Sequence, residues 1–369
     1  MRSMPLPDQA DKPCRRQVLL ASLAGFSGIG GWTKRAHALP ARQLTFPLDR
    51  GAHPGFRTEW WYITGHAKSV NPDDREFGFQ LTFFRSRVDG TQAMASRFAA
   101  RQLIFAHAAI TDVKGKKLWH DQRIARSGFG VASAGEHDMD LKLRDWSLKA
   151  NGANYTAELP GADFAIRLQF KETQSVLLQG QQGHSRKGPE EKQASYYYSQ
   201  PQLAARGSLR IQQTSFEVTG QAWLDHEWSD ELLHPSAVGW DWIGMNLDDG
   251  SALTAFRLRD KDGKAVWDGG SFRSSGGELR IFRVGEVSFK PMRSWTSPLS
   301  RASYPVQWSV STPFASYSVA AVIDNQELDS RNSTGSIYWE GLSQLLDSQG
   351  KRVGMGYLEM TGYAEALRL

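Results

Sequence analysis

Apolar and polar positions alternate with a period of two over much of the chain. Phe77, Phe79, Leu81 and Phe83 fall on one face of the run 77–84, and Phe164, Ile166, Leu168 and Phe170 alternate with Ala165, Arg167 and Gln169. Leu209/Ile211, Val306/Trp308/Val310 and Tyr357/Glu359/Thr361/Tyr363 repeat the pattern. Side chains alternate across a strand, so each run predicts a strand with distinct faces. Asp89-Gly90, Asn151-Gly152, Asp248-Asp249-Gly250, Asp262-Gly263 and Gln349-Gly350 supply turns between them. A period of 3.6 is absent beyond the first 38 residues, leaving room only for a short helix at 230–237. The polar stretch Gln179 to Gln193 predicts an exposed loop. The expectation is an all-β chain, mostly antiparallel.

Two blocks echo each other. Trp60-Trp61-Tyr62-Ile63-Thr64-Gly65 leads to Leu81-Thr82-Phe83-Phe84-Arg85, and Trp240-Asp241-Trp242-Ile243-Gly244 leads to Leu253-Thr254-Ala255-Phe256-Arg257. Such an echo suggests two related β units, which the length of 369 residues accommodates. The boundary is expected near residue 232, giving units 39–232 and 233–369.

The first 38 residues read as an address. Arg15-Arg16 precedes a mildly apolar, glycine-containing run from Val18 to Trp32, and Ala36-His37-Ala38 follows as a small-x-small cleavage site. The run is too short and too weakly apolar to span a bilayer. An exported protein, periplasmic or secreted and beginning at Leu39, is therefore expected; the arginine pair resembles a twin-arginine signal. The segment carries a net +4 of the chain's +5, so the remainder is close to neutral at +1. That removes the electrostatic support for nucleic-acid binding. The single cysteine, Cys14, leaves with the segment, and no disulfide or cysteine-ligated metal is expected.

Familiar catalytic patterns are missing. His226-Glu227 opens like a zinc-protease helix, but Asp230 stands where the second histidine belongs. No Gly-x-Ser-x-Gly elbow occurs. The remaining histidines show no i, i+2 or i+4 pair, so neither metal nor cofactor is expected. Polar groups concentrate instead among aromatics, at His53 with Glu59-Trp60-Trp61-Tyr62, and at Trp223-Leu-Asp225-His226-Glu227-Trp228 with Trp240-Asp241-Trp242. On a strand, His226 and Trp228 share one face while Asp225 and Glu227 share the other. Asp241 shares its face with Ile243, Met245 and Leu247, which leaves two readings open. It is paired with an arginine or a backbone group, or it is an acid kept protonated by burial.

Gly51-Ala-His53, Glu59-Trp-Trp-Tyr-Ile-Thr-Gly65, Trp223-Leu-Asp-His-Glu-Trp-Ser229, Gly239-Trp-Asp-Trp242 and Tyr338-Trp-Glu-Gly341 resemble, in order, the AttH-like family that includes carotenoid 1,2-hydratase (hydroxyneurosporene synthase, CrtC). The resemblance implies two consecutive lipocalin-like antiparallel β-barrels and a hydrophobic, isoprenoid- or lipid-like ligand. For some members it implies hydration or cyclisation chemistry, and for others companionship with an ABC transporter permease. On the hydration reading, Asp225, His226 and Asp241 are the catalytic candidates, and His53, Glu59, Trp60, Tyr62, Trp228, Trp240 and Trp242 would line the ligand site. Pairing of 216–228 with 239–247 would bring the three catalytic candidates together. The alternative is a non-catalytic periplasmic carrier with no transmembrane helix.

Overall fold

The computed structural model describes residues 38–70, 74–231 and 233–367; the segment expected to be an export signal, apart from Ala38, lies outside them. Residues 38–369 cluster as one compact unit. It is built from two antiparallel sheets, of thirteen and ten strands, curled into a barrel and a half-barrel. The first sheet ends with the strand Thr214–Glu231 and the second begins with Gly239–Leu247. Residues 234–237 form turns rather than the short helix the sequence allowed.

The echoed blocks form corresponding hairpins. Thr58–Ser69 pairs with Glu76–Arg87, placing Trp60 opposite Phe84, and Gly239–Leu247 pairs with Ala252–Arg259, placing Trp240 opposite Leu258. On its other side, Thr58–Ser69 pairs with Thr214–Glu231, and Gly239–Leu247 pairs with Arg352–Met360. Thr214–Glu231 therefore does not pair with Gly239–Leu247. The intervening segment crosses to the second sheet instead of closing a hairpin.

Several strands bury both faces. In the first sheet, Trp61, Ile63, Leu81, Phe83 and Trp228 fill the interior, and in the second Ile243, Met245, Trp308 and Trp339 do so. The opposite faces meet in a third cluster containing Tyr62, Trp223, Trp242, Phe256, Leu342 and Tyr357. Burying each such side chain stabilises the seam by roughly 1.5–3 kcal/mol. The sheets approach so closely that a Cβ on Gly78 would lie 2.7 Å from the Tyr357 hydroxyl and 2.9 Å from Leu342 Cβ. Side-chain amides pin the seam: Gln202 N donates to Asn246 Oδ1 at 2.9 Å, and Thr111 Oγ1 donates to Gln326 Oε1 at 2.8 Å.

The polar stretch 179–193 is not simply an exposed loop. Gln179, Lys187 and Gln193 are buried, and His184–Arg186 adds a short strand against Ala194–Ile211. Gln179 and Lys187 are buried with polar partners, Ser199 at 2.8 Å and Glu227 at 3.0 Å, which alternation alone does not reveal.

Candidate functional site

Strand faces from both sheets enclose a cleft of about 570 Å³ at one part of the seam. Even-numbered positions of Thr58–Ser69 and Glu76–Arg87 contribute Trp60, Tyr62, Thr82 and Phe84, and the odd positions of Thr214–Glu231 contribute Asp225 and Glu227. The second sheet supplies Trp240 and Trp242, Tyr338 and Glu340, and Glu359. Aromatic rings dominate the wall: Phe84 stacks on Phe105 at 4.8 Å, and Tyr62 meets Trp242 edge-on at 5.5 Å.

Carboxyl groups sit among those rings. Glu340 and Glu359 are register partners on adjacent antiparallel strands and therefore project to the same side. Burial, then the charge of Glu359, pushes Glu340 well above the usual carboxylate range; burial likewise brings Glu359 up to about 7. Two like charges in an apolar setting cannot both form cheaply, so the pair retains a proton near neutrality. Asp225 is also pushed up to about 7 by burial, against the stabilising donors Ser199, Tyr197 and Trp223 at 2.5, 2.7 and 2.7 Å. Glu227 differs. Its ion pair with Lys187 at 3.0 Å, and a hydrogen bond from Ser195, compensate its charge.

Three polar atoms in this region, Tyr62 Oη, Thr82 Oγ1 and Glu340 Oε1, make no well-formed hydrogen bond, although Tyr62 and Glu340 lie near enough to interact. A buried polar group left unpaired costs about 1–3 kcal/mol. An apolar wall interrupted by a few unsatisfied polar atoms is the composition of a small-molecule site.

Of the residues expected from sequence, Trp60, Tyr62, Asp225, Trp240 and Trp242 line the cleft. Of the rest, Glu59, His226, Trp228 and Asp241 lie on the other faces of the same strands, and His53 lies in the segment before Thr58–Ser69. His53, Glu59, His226 and Trp228 form a network inside the first sheet. Glu59 accepts from Arg85 Nε at 2.7 Å and meets His53 Nδ1 at 2.7 Å and His226 Nε2 at 2.9 Å, while His53 stacks on Trp228 at 3.9 Å. Burial raises Glu59, but His226, His53 and Arg85 outweigh it and hold the carboxyl at about 2. Burial drives His226 down to about 4. His53 is bonded to Asp49 as well, at 2.9 Å, so this network ties the segment carrying Asp49 and His53 to the first sheet.

Glu59, His53 and His226 each offer a ligand atom within 4.8 Å of the others, a spacing that could hold a metal ion. Spacing along the chain could not reveal that cluster, because its histidines come from separate segments. The contacts nevertheless have hydrogen-bond lengths, and Arg85 already compensates Glu59.

Asp241 does not join Asp225. It points into the second sheet, where Arg257 Nε lies at 2.7 Å, Arg259 Nε at 3.5 Å and the Tyr363 hydroxyl at 2.8 Å. Its neighbours Trp240 and Trp242 face the cleft because alternation turns Asp241 away. Of the two readings for Asp241, the chain adopts the ion-paired one.

Glu340, Glu359, Tyr197, Tyr338 and His107 were not singled out as site residues from sequence. Signals exist for some of them: Tyr338-Trp-Glu-Gly341 is an aromatic–acidic block like those at 59–62 and 223–228, and Glu359 alternates with Tyr357 and Tyr363.

The profile of the AttH-like family matches residues 37–363. An AttH protein of Nitrosomonas europaea shares 44% identity over 88% of this chain and 99% of its own, with a TM-score of 0.82. Kievitone hydratase of Nectria haematococca is similar in fold, with a TM-score of 0.67 at 14% identity over 87% of this chain and 93% of its own. No curated protein matches the chain significantly.

Proposed function

The chain belongs to the AttH-like family, and from that premise we propose that its inter-sheet cleft binds an apolar, isoprenoid- or lipid-like molecule and adds water to a carbon–carbon double bond. The observation that carries this reading is the Glu340–Glu359 pair, which keeps a proton at neutral pH beside aromatic faces. Protonating an isolated alkene requires a carboxylic acid still protonated near neutrality, and that is what this burial supplies. The proton moves from Glu340 to one alkene carbon, and the π electrons form the new C–H bond. The other carbon becomes a cation, which the faces of Trp60, Trp240 and Trp242 and the nearby carboxylates stabilise. Water then forms the C–O bond and gives up one proton to a base on the wall.

Asp225 is a second carboxyl across the cleft, while His226 supports the first-sheet strands behind it and Asp241 the second sheet opposite. The hydratase named above, at low identity, agrees in fold and adds only plausibility to the chemistry. Export to the periplasm is part of the proposal. It is supported by residues 14–38 and by the anchoring of the residues beyond, where Leu39 O accepts from His184 Nε2 at 3.0 Å and Tyr196 bonds Pro40 O at 2.5 Å.

The test incubates purified protein with geranylgeraniol in water enriched in heavy oxygen, followed by mass spectrometry. One added water carrying the label, absent with Glu340→Gln, is the expected result. Binding without any adduct in the wild type would leave a carrier in place of the enzyme.

A further inference from the structure

Behind the cleft wall runs a chain of hydrogen bonds whose donors can be assigned one by one. Gln122 Nε2 donates to the backbone carbonyl of Asp329 at 2.6 Å, which turns Gln122 Oε1 toward Ser333. Ser333 donates to that oxygen at 2.6 Å, so its own oxygen is left to accept from His107 Nε2 at 2.8 Å. His107 is buried, and burial drives it down to about 3, so the ring is neutral and carries its single proton on Nε2. Its Nδ1 is then a bare acceptor, 2.8 Å from the Tyr338 hydroxyl, which must donate to it.

The consequence reaches the cleft. With its proton committed to His107, Tyr338 can offer only oxygen lone pairs to a ligand. Tyr338 lies two residues from Glu340 on the same face of the strand Ile337–Leu346, and Gln80 Nε2 reaches Glu340 Oε2 at 2.8 Å and Tyr338 Oη at 3.5 Å. A proton donor and a fixed acceptor thus stand side by side.

We propose that the Tyr338–His107 pair is a catalytic base that binds the attacking water or a ligand hydroxyl and carries its proton away; the proton-transfer half of this rests on the hydration reading. As the water oxygen bonds carbon, a water O–H bond breaks and the proton joins Tyr338 Oη. The Tyr338 proton passes to His107 Nδ1, giving an imidazolium while Glu340 is a carboxylate. No net charge is created in the cleft, which makes the buried imidazolium tolerable. Return of the proton through Tyr338 and cleft water to Glu340 resets both groups. Ser333, part of the sequon Asn332-Ser333-Thr334, serves here as the positioning residue that fixes the tautomer.

Nitrogen NMR of histidine-labelled protein reads the tautomer directly. The expected wild-type spectrum shows His107 neutral and protonated on Nε2, with Nδ1 shifting in Tyr338→Phe and the proton redistributing in Ser333→Ala. His107 protonated on Nδ1 or on both nitrogens at neutral pH, or indifferent to Tyr338→Phe, overturns the proposal. Binding supplies a second arm that needs no turnover. Geranylgeraniol should bind about tenfold more tightly than its methyl ether, a preference that Tyr338→Phe removes. An unchanged preference in that variant refutes the acceptor. Where the wild type hydrates geranylgeraniol, Tyr338→Phe should lower kcat by roughly a hundredfold with KM little changed; an unchanged kcat removes the proton path. If the wild type binds the alcohol with the expected preference yet adds no water, the hydration reading and the proton path fail, while the fixed acceptor stands.

Discussion

Replacing Asp241 by Asn separates a structural carboxylate from a functional one. Asp241 is wholly buried, and its carboxylate faces the guanidinium groups of Arg257 and Arg259, whose side chains are only 13% and 7% exposed. The substitution keeps the shape and the hydrogen bond with Tyr363 but leaves two buried cations without a counter-charge. Breaking one partner out of a buried ion pair costs about 3–5 kcal/mol. At roughly 2–4 °C per kcal/mol, the melting temperature should fall on the order of 10 °C. Asp225→Asn is the comparison: Asp225 is bonded by Ser199, Tyr197 and Trp223, none of them a cation, so neutralising it strands no charge. The assay is thermal unfolding followed by near-ultraviolet circular dichroism, with binding of geranylgeraniol measured by tryptophan fluorescence below the transition. Asp241→Asn should lose stability and keep its affinity. A variant that melts with the wild type but fails to bind the probe would refute the structural assignment.

Tyr62→Phe removes a buried hydroxyl that makes no well-formed hydrogen bond and only a weak contact with Glu340; the ligand-free protein should melt within a few degrees of the wild type, while affinity for geranylgeraniol falls, both readable in one fluorescence titration series. Glu359 has a folded pKa of about 7, above its ordinary 4.5, so the folded state binds the extra proton and the stability this contributes is full below 4.5 and lost as pH rises through 7. Urea midpoints of wild type and Glu359→Gln should therefore diverge across that window, with the variant less sensitive to pH; parallel profiles would count against a protonated pair. Glu59→Gln strands Arg85 inside the first sheet and should cost about 3–5 kcal/mol in a urea titration, with the geranylgeraniol affinity of the folded fraction unchanged.

Period two made the strands legible. The runs 77–84 and 164–170 lie within the strands Glu76–Arg87 and Phe164–Lys171, and the echoed blocks form matching hairpins. Alternation could also say that Asp225 and His226 face opposite ways. It could not say which face meets the other sheet, because both faces of these strands are buried and aromatic. That is why four expected ligand-site residues and the catalytic candidate Asp225 line the cleft, while His53, Glu59, His226 and Trp228 stabilise the interior. Asp241 misled for the same reason: a carboxylate on an apolar face reads equally as an acid or as a counter-ion, and Arg257 and Arg259 become its partners only through the pairing of Gly239–Leu247 with Ala252–Arg259. Glu340 and Glu359 gain their chemistry from being opposite each other, a relation between strands that no local pattern encodes.

The central claim is that the cleft holds a protonated carboxyl at neutral pH, and infrared spectroscopy of protein with isotopically labelled glutamate observes that proton most directly. The spectrum should contain the carbonyl band of an un-ionised glutamic acid, shifted by the label, diminished in Glu340→Gln and lost in the double substitution Glu340→Gln/Glu359→Gln. A spectrum with only ionised glutamate bands, or a protonated band that survives the double substitution, would contradict the account.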